Sequence, residues 1–81
     1  MEENGGRTRY FVLAYDSEAL VVLSLSGHNH DFTGAVLTLT WRAQEYRGRP
    51  AVTVRLFAAT DLPDLLARHA ELFERLEFPE G

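Results

Sequence analysis

Apolar and polar side chains alternate with a period of two over most of the stretch between Arg9 and Ala58. That is the spacing of a strand with one buried face. In the first run Phe11, Leu13 and Tyr15 fall on one side, with Tyr10, Val12 and Ala14 on the other. Val21, Leu23 and Leu25 share a side of the second run. The third is the most regular, with Ala35, Leu37, Leu39, Trp41 and Ala43 set against Val36, Thr38, Thr40 and Arg42. The fourth sets Val52, Val54, Leu56 and Ala58 against Thr53, Arg55 and Phe57. Between the runs lie Asp16-Ser17-Glu18, the stretch from Gly27 to Asp31, and Arg47-Gly48, all with the residue types of turns.

A one-residue slip of register sends every side chain to the other face, so turns and patterns must agree. Pairing Tyr15 with Ala19, Leu25 with Ala35 and Tyr46 with Arg49 keeps the apolar sets on one inner face, with Trp41 opposite Val54 and Leu39 opposite Leu56. Near the C-terminus the period changes. Leu62, Leu65, Leu66, His69, Leu72, Phe73 and Leu76 recur at helical spacing behind an N-cap at Asp61 and a proline in the first turn. Asp64 with Arg68, and Glu71 with Arg75, are i,i+4 pairs of the favourable orientation. The expected fold is α+β: a four-stranded antiparallel β-meander in the order 1-2-3-4, with one C-terminal α-helix packed on one face. Residues 1–8 are expected to form a flexible arm, 9–78 a single ββββα domain and 79–81 a tail.

Composition narrows the classes of function. The 81 residues suit one small domain, and the absence of cysteine excludes disulfides, cysteine metal sites and thiol nucleophiles. The apolar runs are far short of the roughly 20 residues that span a bilayer, and the first ten residues lack the pattern of a secretory signal. A cytoplasmic protein without membrane contact is expected. The net charge of −4 argues against a nucleic-acid binder. All eight basic residues are arginine, and lysine and isoleucine are both absent; a GC-rich coding sequence accounts for both gaps at once.

No set of residues assembles into a catalytic constellation, so an enzyme is not expected and neither is a cofactor. His28, His30 and Asp31 are metal-ligand types, but too few for a closed site, and the segment also reads as a turn. Arg42, Arg47, Arg49 and Arg55, with Tyr46, are expected to cluster around the last hairpin, where they would suit phosphate or a stacked base. The meander leaves Tyr10, Val12, Leu20, Val22, Val36, Thr38 and Phe57 on its outer face, which one helix on the inner face cannot cover. An apolar patch of that kind marks an interface. The expected function is therefore a non-catalytic protein-interaction module, such as a small inhibitor, immunity-type protein, adaptor or homodimeric accessory protein. It would use the outer sheet face, with a second copy or one foreign protein as partner. Nucleic-acid or phosphate binding through the arginine hairpin is the alternative, and a small enzyme or metal-binding protein comes third.

Overall fold

The computed structural model describes residues 8–79. The expected N-terminal arm and C-terminal tail thus lie outside the described residues, apart from Thr8 and Pro79. In chain order the elements are β1 (Arg9–Asp16), β2 (Val21–Asn29), α1 (Phe32–Glu45), β3 (Val52–Ala59), α2 (Leu62–Arg68) and α3 (Ala70–Arg75). The three strands form one antiparallel sheet in the order β2-β1-β3. Helix α1 packs across one face, mainly over β1 and β3, while α2 and α3 lie against the other.

The four-stranded meander is therefore not what forms. The run from Ala35 to Ala43, the most regular alternation in the chain, is helical. The fourth run pairs with β1, placing Phe11 beside Phe57 and Val12 beside Leu56. Strand β1 explains why. Its residues Phe11, Val12, Leu13 and Ala14 are all buried, so the central strand is apolar on both faces and both need a cover. The C-terminal helices supply one cover and α1 the other. Buried apolar area stabilises by roughly 25 cal/mol per Å², and a third run laid down as a strand would have left Val12 and Ala14 in water. The start of α1 is also locally encoded. The Asp31 carboxylate accepts the Gly34 N–H at 3.0 Å, closing the first turn as an N-cap.

Strand β2 is longer than its pattern suggests. It runs through Gly27 and His28, pairing them with Phe11 and Tyr10. The turn into it spans Ser17 to Leu20, held by the Asp16 carboxylate, which accepts the N–H groups of Glu18 and Ala19 at 2.9 and 2.8 Å. Leu20 closes the turn in the left-handed region at φ 59°, where a branched side chain is disfavoured. A bulge follows: Ala14 pairs with Ser24 but Tyr15 with Val22. The extra residue moves Val22, rather than Val21, onto the face of Leu13.

The main core lies under α2 and α3, where Phe11, Leu13, Val22, Phe57 and Ala59 of the sheet meet Leu65, Phe73 and Leu76. The expected single C-terminal helix is two short ones, broken at His69 (φ −123°, ψ 41°), whose ring packs on Phe57 with centroids 4.5 Å apart. The N-cap at Asp61 and the Arg68–Asp64 pair, at 2.7 Å, form as expected. Past α3 the chain returns to the sheet. The Val22 N–H donates to the Glu77 carbonyl and the Glu77 N–H to that of Leu20, both at 2.8 Å, making a parallel bridge at the start of β2.

A candidate protein-binding face on helix α1

The expected outer sheet face is dispersed by this topology. Val22 and Phe57 are core residues under α2 and α3. Val12 is fully buried on the opposite side of the sheet, where Tyr10 packs edge-on against Phe32 of α1 at 5.2 Å. Leu20 sits in the first turn, packed against the core. Val36 and Thr38 are half-buried on α1. The apolar excess that suggested an interface is real, but the chain covers most of it with its own helix.

The arginine cluster is divided as well. Arg42 lies on α1 and donates to the Glu45 carboxylate at 2.8 Å. Arg49, in the loop between α1 and β3, lies over the Tyr46 ring at 5.8 Å and 3.7 Å from the Asp16 carboxylate. Arg55 is directed to the other side of the sheet, over the Phe57 ring at 4.9 Å. Arg47 is exposed in the loop. Four arginines and a tyrosine that the sequence brings within fourteen positions thus occupy both faces, and three of the arginines already have partners.

The histidine segment is divided too. His28 lies in β2 beside Tyr10. His30, in the left-handed region at φ 60°, makes its hydrogen bond to the Thr8 carbonyl. Asp31 caps α1. Among the described residues no group of three or more His, Asp or Glu side chains is placed to hold a metal ion. None of the described helices is long and apolar enough to cross a membrane.

What the structure does bring together lies on the outward side of α1. Leu37 and Trp41 are one helical turn apart and so share a side. They are 61% and 75% exposed. Thr33, Thr40 and Gln44 are exposed near them, and the Thr40 hydroxyl is turned back onto the Val36 carbonyl at 3.0 Å. Leu37, Thr38, Trp41 and Arg42 line a shallow cavity of about 370 Å³. The groove continues past Trp41 along Gln44 and Glu45. The only charged side chains on α1 are Arg42 and Glu45, paired to each other, so the outward stripe from Thr33 to Gln44 carries no net charge. The exposed sides of α2 and α3, by contrast, bear Asp64, Arg68, Glu71, Glu74 and Arg75.

Reasoning from the sequence placed Leu37 and Trp41 in the core. The signal that would have corrected it is their four-residue spacing, which joins them on a helix as readily as on a strand. Comparison of the chain with family models, with curated proteins and with solved structures finds no match.

Proposed function

We propose that this protein is a non-catalytic protein-interaction module whose contact face is the outward side of α1. One observation supports the reading above the others: the chain's single tryptophan is three-quarters exposed on a helix, one turn from an exposed leucine. Exposed large apolar groups gathered on a small domain mark interaction sites. Tryptophan is also the residue that most often anchors a protein interface, because it buries a large area at low entropic cost. The adjoining groove is shallow, which suits a helix or a flat protein surface better than an enclosed small molecule. The nucleic-acid alternative loses its basis with the division of the arginines.

Site-specific photocrosslinking tests this. A photoreactive residue placed at Leu37 should give discrete protein adducts under native conditions, whereas the same residue at Glu74, on the opposite side of the molecule, should not. Equal yields from both positions, or none from position 37, would overturn the reading.

A further inference from the structure

We infer that the partner on α1 is a second copy of this chain, docked through an antiparallel, two-fold pairing of the two α1 helices. The inference rests on the interaction reading above and names its partner.

The charge distribution carries the argument. The chain has a net charge of −4, yet α1 contributes one arginine and one glutamate that neutralise each other. The acidic Glu71, Glu74 and Glu77 lie on or just beyond α3, on the far side of the sheet. Two copies meeting through α1 therefore keep their acidic ends as far apart as the fold allows, so repulsion between like-charged molecules is least in this arrangement. A foreign partner selected to bind an acidic protein would be steered by opposite charge, and the α1 stripe presents none to read. A neutral, apolar face is complementary to another of its kind.

The spacing on the helix is self-complementary as well. In a two-fold pairing the same patch serves both subunits. With the axis passing level with Leu39, Trp41 of one copy meets Leu37 of the other, and Leu37 meets Trp41. At the ends of the contact Thr33 falls opposite Glu45 of the other copy, a pairing of hydroxyl with carboxylate. The helix dipoles run antiparallel. Fourteen residues make a helix about 21 Å long, less than the roughly 800 Å² per partner of a standard interface requires. The dimer is accordingly a reversible one, in the micromolar range or weaker.

Sedimentation equilibrium, with Trp41 emission recorded on the same samples, tests this. Between about 1 µM and about 500 µM the mass should rise from 9.2 kDa toward twice that value, while the emission moves to the blue as the only tryptophan leaves water. Leu37→Glu and Trp41→Arg should each weaken dimerisation about tenfold or more with unchanged circular dichroism, both positions being exposed in the single chain. Mixing the two variants should restore association, because the mixed pair has one native Trp41–Leu37 contact and one new Glu–Arg contact.

A wild-type chain that stays at 9.2 kDa throughout, or a dimer indifferent to both substitutions, would overturn the inference. So would a dimer that both variants weaken but their mixture does not restore, since it would have another register. The first of these results, combined with crosslinks to another protein from position 37, would leave the interaction reading standing and remove only the second copy. Absence of crosslinks from position 37 removes both.

Discussion

Trp41 and Leu13 show how little a residue's type says about its burial. Both are large and apolar, and both fall in alternating runs, yet Leu13 is fully buried and Trp41 is 75% exposed. Leu13 lies in the central strand, with β2 and β3 on either side and α2 and α3 over it. Trp41 lies on a helix whose inward side is taken by Ala35. Their energetic roles should differ accordingly. Leu13→Ala leaves a cavity in the core and should cost about 2–5 kcal/mol. Trp41→Ser removes no buried contact within the chain and should stay within about 0.5 kcal/mol of wild type. Urea denaturation followed by circular dichroism, at a concentration where the chain is monomeric, measures both. A Trp41→Ser loss as large as that of Leu13→Ala would place the tryptophan in the core and α1 the other way round.

At the scale of elements, α1 is where local pattern and final structure part. Its alternation of leucine and threonine is that of a strand, and β-branched residues are common in it. The Asp31 cap nevertheless starts a helix, and Ala35 and Leu39 then lie one turn apart toward the sheet. Gly34 is part of the same device. A Cβ built there would approach the Asp31 carboxylate oxygen to 2.5 Å, so alanine can enter only if the cap gives way. Alanine in a helix interior is ordinarily better than glycine by about 1 kcal/mol, but Gly34→Ala should destabilise instead. Asp31→Ala should cost about 0.5–2 kcal/mol. The double variant should be less destabilised than the sum, since the clash disappears with the carboxylate. A double-mutant cycle of denaturation free energies shows this; simple additivity would mean that the cap and the glycine act independently. By contrast the start of α2 was legible, because Asp61, Pro63 and Asp64 act within one turn and the Asp61 carboxylate does accept the Asp64 N–H.

For the whole molecule, two carboxylates tie distant parts of the chain and set its response to acid. Asp16 accepts the N–H groups of Ala19 and Glu18 and lies near Arg49, which holds its carboxyl below the usual range. Asp64 is lowered by the Thr60 N–H, at 2.9 Å, and by Arg68. A carboxyl whose pKa is lower in the folded chain contributes stability that is complete above the unfolded value. It is lost as pH falls through the folded one. Both contributions should therefore be intact above the ordinary value of 3.8 and fade below it. Replacing both with asparagine should lower stability at neutral pH and make the acid side of the stability profile shallower. An acid limb of unchanged steepness would show that other carboxyls dominate.

What the sequence determined by itself was whatever a few neighbouring residues settle: the β1 strand with its apolar faces, the turn at Asp16, the caps at Asp61 and Asp64, and one small domain mixing sheet and helix. It also held the excess of apolar residues on the second face of the sheet, visible in Tyr10, Val12 and Val36. It did not determine how that excess is resolved. A nine-residue run such as Ala35–Ala43 fits a period of two, and it also sets Ala35 with Leu39, and Leu37 with Trp41, at helical spacing. Only the tertiary structure chose between these. Once β3 had paired with β1, the face bearing Val12 and Ala14 had no cover except the segment between β2 and β3. A helix there buries Ala35 over the sheet and leaves Leu37 and Trp41 outside. The exposed face proposed as the interface is a consequence of that choice, so no local pattern announced it.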